Sequence, residues 1–173
     1  MTPFRRALTL LLASLSCGCG HFHANRLPES GAMTAYPPRS ARDIEARLSR
    51  KRFLWPVQGP VSSGFGGRGG RFHEGIDILA PRGTPVRAAE IGLVLYAGDG
   101  LRGYGNVVVL DHGDGITTLY GHLDAFRVES GDAVPVGAVI GTVGRTGNAT
   151  TSHLHFELRV DGEAVDPLFR LAR

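Results

Sequence analysis

Five of the seven histidines in this 173-residue chain lie beyond Pro56: His73, His112, His122, His153 and His155. His73 and Asp77 form H-x-x-x-D within His73-Glu74-Gly75-Ile76-Asp77, and His153 and His155 form H-x-H inside His153-Leu154-His155-Phe156. In an extended strand alternate side chains share a face. His153 and His155 therefore project together, about 7 Å apart, while Leu154 and Phe156 face the other way. Burying such rings without partners costs roughly 1–3 kcal/mol per unsatisfied polar group, so either solvent reaches that face or something satisfies the imidazoles. Zinc suits the set. It takes histidine nitrogen at about 2.0–2.1 Å and carboxylate oxygen at about 2.0–2.2 Å, and a catalytic zinc uses three protein ligands and leaves a fourth position open. Two histidines and one aspartate fill that count, and two histidines remain for proton transfer. His122 stands at a strand end in Tyr120-Gly121-His122-Leu123, whereas His112, in Asp111-His112-Gly113, reads as a turn or packing histidine.

The elements that must hold these side chains read as strands. Thr84–Ala97, Asn106–Asp111, Gly115–Leu123, Val134–Val143 and His153–Val160 are rich in β-branched and aliphatic residues and are separated by Gly, Asp and Pro clusters. Asp114-Gly115 and Asp161-Gly162 are strong hairpin signals. No stretch after Pro56 sustains a 3.6-residue period. Short strands at about ten-residue spacing predict an all-β fold, an antiparallel sandwich or barrel. The glycines between Gly64 and Gly70 predict a mobile loop lining a groove, because glycine adopts backbone conformations other residues avoid. They form no nucleotide fingerprint, since no strand-to-helix transition follows them.

The N-terminal third has another character. Arg5 and Arg6 precede the short apolar run Ala7–Leu15, and small residues Ser16-Cys17-Gly18-Cys19 follow: residues 1–19 predict a secretory signal with a possible lipobox, the lipid falling on Cys19 or Cys17. The run is too short to span a bilayer. Residues 20–55 read as a linker with one short helix, Ser40 being its N-cap, Ile44 and Leu48 sharing one face, and its arginines solvated. His21 and His23 lack a third ligand nearby. The domain proper is expected at 56–173. Residues 52–173 carry eleven arginines against thirteen acids, so the chain's net charge of +3 comes from the N-terminal segments and gives no argument for nucleic acid. The chain's only cysteines are 17 and 19, so the domain is neither disulfide-stapled nor a cysteine-type zinc module.

The stretch from Gly64 to Pro167 resembles the lysostaphin-like and LytM-like zinc endopeptidases that cut peptidoglycan peptides. The resemblance rests on Ser63-Gly64-Phe65-Gly66 followed by Arg68; on the H-x-x-x-D segment; on Ala80-Pro81-Arg82-Gly83-Thr84-Pro85-Val86; on Gly103-Tyr104-Gly105-Asn106; on Tyr120-Gly121-His122-Leu123; and on His153-Leu154-His155-Phe156-Glu157. It covers roughly 100 of the 173 residues, in family order.

The resemblance implies that His73, Asp77 and His155 ligate one zinc ion and that His122 and His153 are catalytic histidines outside the metal shell. It implies hydrolysis in which zinc polarises the scissile carbonyl and acidifies its water. One free histidine takes the water's proton while the other assists the oxyanion or shuttles protons. His153 is favoured as the base because it neighbours His155 on the strand. The regulatory branch of the family has lost ligands that this chain keeps. A non-catalytic wall-binding module or amidase activator is nevertheless the alternative, and a metal-stabilised β-domain with another ligand is a third. The expected partners are peptidoglycan peptides and, through a lipidated cysteine, a membrane; the expected location is the periplasm or outer membrane. Among neighbouring residues, Glu157 shares the face of His153 and His155 and is a candidate support for the metal site. Arg68 is a candidate contact for substrate carboxylates, Tyr104 a candidate groove residue, and Glu74 is expected to be solvated.

Overall fold

The computed structural model describes residues 40–172. The signal segment, Cys17 and Cys19, His21 and His23, and linker residues 20–39 lie outside the described residues. The described chain opens with helix α1 (Ala41–Leu48), followed by twelve strands: β1 (Val61–Ser63), β2 (Gly66–Arg68), β3 (Arg71–His73), β4 (Ile76–Leu79), β5 (Pro85–Arg87), β6 (Gly92–Gly98), β7 (Asn106–Asp111), β8 (Ile116–Phe126), β9 (Ala133–Val134), β10 (Val139–Val143), β11 (His153–Val160) and β12 (Glu163–Val165). A single 3-10 turn, Pro167–Phe169, follows β12.

The fold is all-β and antiparallel, as the strand spacing predicts. One sheet runs β1-β4-β11-β8-β7-β6-β9, with β12 beside β11 and β10 bridging β5 and β8. β8 is the longest strand: its first half pairs with β11 and β7, and its far end, Leu123 to Phe126, pairs with β10. That switch of partner turns the sheet over onto itself and closes a core. Alternation along β11 sends Leu154, Phe156, Leu158 and Val160 into this core, each at most 1% exposed. They meet Ile76 and Ile78 of β4, Leu110 of β7 and Ile116 and Tyr120 of β8, while Val86, Ala88, Ile140 and Val143 close the far side. The opposite face of β11 carries the histidines.

The hairpin signals are realised. Asp161 (φ 53°) and Gly162 (φ 87°) both take the left-handed conformation between Val160 and Glu163, which the twist of a two-residue hairpin requires. Two expected strands are each split: Thr84–Ala97 becomes β5 and β6, and Val134–Val143 becomes β9 and β10. In both cases the two parts pair with different neighbours: β5 with β10 but β6 with β7 and β9, and β9 with β6 but β10 with β5 and β8. The glycine-rich stretch is not a loop but the hairpin β2–β3, turned by Gly69 and Gly70 and braced by edge-to-face contact of Phe65 with Phe72 at 5.0 Å.

α1 forms where the sequence placed a helix. Ser40 caps it and Asp43 reaches back in a reciprocal capping box. Leu48 is buried and Ile44 packs on the core. Its arginines are not all solvated: Arg47 grips Asp161 with two hydrogen bonds, 2.6 and 3.1 Å, its side chain only 12% exposed. Among the described residues no helix is long and apolar enough to cross a membrane.

Candidate active site

All five histidine and aspartate positions singled out by the sequence meet at one cleft of about 530 Å³, whose wall includes Arg68, Arg71, Phe72, Arg102, Tyr104 and Asn148. β4 pairs with β11 so that Asp77 lies opposite His155, and His155 lies opposite Gly121 of β8. His73 ends β3, and the chain then crosses to β4 through Glu74-Gly75. Glycine is required there because a β-carbon on Gly75 would stand 2.3 Å from the Phe156 carbonyl oxygen.

His73 Nε2, Asp77 Oδ1 and His155 Nδ1 form a triangle with edges of 3.2, 2.9 and 3.1 Å. The other edge of each group explains which atom points inward. His73 Nδ1 lies 2.7 Å from the Gly64 carbonyl oxygen. A carbonyl only accepts, so Nδ1 carries the proton and Nε2 is left as a lone pair. His155 Nε2 lies 2.9 Å from Glu157 Oε1, which leaves Nδ1 unprotonated in the neutral ring. Arg68 donates to Asp77 Oδ2 at 3.0 Å, and its guanidinium also lies against His73 Nδ1, the atom that faces the Gly64 carbonyl. Three acceptor atoms are thus aimed at one point, where a cation is the group that satisfies them together. A tetrahedral ion with bonds of about 2.0–2.2 Å holds its ligand atoms roughly 3.3–3.5 Å apart, so the donor set fits zinc with slight expansion. Burial alone would raise the Asp77 carboxyl; the His155 ring beside it, when it carries a proton on Nδ1, and the hydrogen bond from Arg68 outweigh burial and hold the group well below the usual carboxylate range.

His122 and His153 flank this triangle. Their ring centroids are 4.8 Å apart, and His153 Nε2 stands 3.7 Å from Asp77 Oδ1. His153 Nδ1 donates to the Thr151 carbonyl at 2.9 Å, and His122 Nδ1 to the Thr146 carbonyl at 2.8 Å. Each ring therefore presents Nε2 to the cleft as an acceptor. His122 reaches the cleft by a bulge. Asn106 and Val108 of β7 lie opposite Leu123 and Tyr120 of β8, two steps matched against three, and His122 takes φ 61° at the extra position. Without the bulge, strand alternation would send His122 into the core beside Tyr120 and turn Leu123 to the cleft face. Burial pushes the His122 imidazole down to about 4, with the neighbouring His153 adding to the effect.

Glu157 is fully buried. Its carboxylate accepts from His155 and from Tyr104 Oη (2.7 Å) through Oε1 and from Arg159 Nε (2.6 Å) through Oε2. Arg159 also pairs with Glu74, which is half-exposed rather than freely solvated. Arg68 finds its partner in Asp77. Sequence reasoning passed over Arg159, although its spacing two residues beyond Glu157 on the histidine face was the available signal. Thr146 carried no signal at all, because its role is that of a backbone carbonyl on a loop brought up from elsewhere.

Residues 71–167, more than half of the chain, match Peptidase family M23: the chain belongs to that family. It is 42% identical over 125 residues to the uncharacterized lipoprotein YgeR of Escherichia coli, covering 70% of this chain and 47% of that protein. The murein hydrolase activator NlpD of Salmonella typhimurium is 39% identical over 135 residues, covering 78% and 35%. The DD-carboxypeptidase/endopeptidase Mpg of Neisseria meningitidis is 49% identical over 98 residues, covering 57% and 22%. The chain thus spans less than half the length of these relatives. Among solved structures, a zinc-containing peptidase from Vibrio cholerae superposes with a TM-score of 0.62 at 34% identity, covering 67% of this chain and 39% of that one. Lysostaphin from Staphylococcus simulans superposes at 0.63 and 34% identity, covering 69% and 52%.

Proposed function

We propose that this chain is a zinc-dependent endopeptidase of the bacterial envelope that hydrolyses peptide cross-links of peptidoglycan. The observation that carries the reading is the completeness of the cleft: three unprotonated acceptor atoms converge within one zinc shell, and two further imidazoles present Nε2 beside it. His73 Nε2, Asp77 Oδ1 and His155 Nδ1 would hold the metal. Zinc bound there would polarise the scissile carbonyl and make the attacking water more acidic.

The chain's own residues supply the rest. His153, whose Nδ1 hydrogen goes to the Thr151 carbonyl, accepts the water's proton at Nε2. His122 has no hydrogen on Nε2 while it donates to Thr146, so it serves as a proton shuttle and becomes an oxyanion donor only after it has been protonated. Thr151 and Thr146 hold the two rings in the orientation this needs. Support for the substrate comes from family membership and from relatives named as an endopeptidase and as a murein hydrolase activator.

The activator reading is favoured by the name of that second relative. Purified sacculi separate the two. The full chain loaded with zinc is expected to release new amine termini, to stop on chelation and to recover when zinc is restored. A zinc-loaded protein that releases none would overturn the endopeptidase reading.

A further inference from the structure

We propose that Glu157 is a positioning residue that commits His155 to metal ligation through Nδ1, with Tyr104 and Arg159 clamping the carboxylate for that task. The proposal rests on the zinc-site reading above and concerns this chain's hydrogen bonds toward the ion, not the identity of the substrate.

A histidine can ligate through either ring nitrogen, and the choice follows the hydrogen bond made by the other one. The two histidines of this site make opposite choices. His73 gives its Nδ1 proton to the Gly64 carbonyl and turns Nε2 inward, while His155 gives its Nε2 proton to Glu157 and turns Nδ1 inward. Backbone holds the first choice and a side chain the second, so only the second is open to substitution. A carboxylate with no exposed surface is costly unless it is paired and hydrogen-bonded. Here Oε1 takes the His155 and Tyr104 hydrogens and Oε2 takes that of Arg159. All four residues lie on or against the cleft face of β11, and Tyr104 comes from the Gly103–Gly105 turn, whose Tyr104 carbonyl accepts from the His122 N–H at 2.8 Å. The clamp thus joins a metal ligand to a wall of the cleft.

An amide at this position cannot serve all three donors. In Glu157→Gln, an NH₂ facing Arg159 sets donor against donor. The flipped amide faces His155 with a hydrogen and favours the tautomer that carries its proton on Nδ1, the wrong one for the metal.

The full-length protein tests this in two ways. In the zinc-loaded wild type, long-range ¹H–¹⁵N NMR should find His155 protonated on Nε2 and His73 protonated on Nδ1. His155 protonated on Nδ1 would overturn the proposal without any variant. Competition against a chromophoric chelator should then give a zinc affinity about 10–100-fold weaker for Glu157→Gln. Tyr104→Phe, which leaves the His155 contact intact, should show a smaller loss in the same assay. Wild-type affinity in a folded Glu157→Gln protein would overturn the proposal. If that variant does not fold, Tyr104→Phe and the wild-type spectrum decide. Tight zinc binding with no peptide release would reject the endopeptidase reading and leave this one standing, whereas a chain that binds no zinc rejects both.

Discussion

An imidazole has two nitrogens, and the partner of one sets what the other can do. At the cleft this distinction separates residues of the same type: His73 and His155 each turn a lone pair into the acceptor triangle, while His122 and His153 turn theirs beside it. Two kinds of inactive variant follow. His73→Ala, Asp77→Ala and His155→Ala should lose zinc, measured by elemental analysis. His153→Ala should keep zinc and lose about 10²–10⁴-fold in cleavage, the usual worth of a general base. At His122 the preferable variant is glycine, which adopts φ near 61° without the roughly 1–2 kcal/mol that a side chain costs there. His122→Gly should therefore keep zinc and thermal stability while losing cleavage. Equal zinc loss in His153→Ala and His155→Ala would mean that the H-x-H pair has been assigned in the wrong order.

At the scale of elements, β7 and β8 are tied together by a buried polar chain. His112 Nδ1 lies 2.7 Å from the Ile91 carbonyl oxygen and Nε2 lies 2.7 Å from Thr118 Oγ1. Thr118 Oγ1 is 3.0 Å from Tyr120 Oη, which accepts from the Ala89 N–H at 2.9 Å. With His112 neutral and protonated on Nδ1, each hydroxyl can hand its hydrogen along the chain to Nε2, and every group is satisfied. A second proton on His112 would reverse those hydroxyls and leave the Tyr120 hydrogen without an acceptor in the chain. Burial accordingly holds His112 below the ordinary imidazole range; the Ile91 carbonyl opposes this, Lys51 reinforces it, and Glu90 and Asp111 oppose it. The sign follows from proton uptake. The unfolded chain protonates this histidine near pH 6.5 and the folded chain only at lower pH, so unfolding binds a proton and stability falls as pH drops below about 6.5. Denaturant midpoints between pH 7.5 and 5 should fall for the wild type. In His112→Gln they should start lower and depend less on pH; an unchanged slope would mean His112 does not carry the effect.

For the molecule as a whole, the described chain is closed by its two ends. Phe53 is 1% exposed, its carbonyl accepts from the Ala172 N–H at 2.7 Å, and its ring meets His112 edge-on at 5.8 Å. Leu48 of α1 and Leu171 join the same core. We therefore propose that the folding unit begins near residue 40 rather than 56. Phe53→Ala should cost about 3–5 kcal/mol in denaturant unfolding, and a loss within the error of an exposed substitution would return residues 40–55 to the linker. Upstream, a lipid on Cys19 or Cys17 would tether the folded domain to a membrane, a reading supported by the lipoprotein name of one relative. Replacing both cysteines by serine should move the protein from membrane to soluble fractions; unchanged fractionation would remove the anchor.

Much of this was legible in the residues themselves. Alternation in His153–Val160 dictates that the two histidines share a face with Glu157 and that Leu154 and Phe156 do not, because strand geometry is local. Asp161-Gly162 dictates a hairpin for the same reason, and Ser40 a helix start. The tertiary structure alone decided the rest. That His122 faces the cleft depends on a bulge created by pairing with β7, and that Gly75 must be glycine depends on the Phe156 carbonyl across the sheet. The tautomers of His122 and His153 depend on the carbonyls of Thr146 and Thr151, and that of His155 on Glu157 held by Tyr104, fifty-three residues away in sequence. A residue's type and spacing state which bonds it can make; which nitrogen is left free is set by partners that only the folded chain brings within hydrogen-bonding distance.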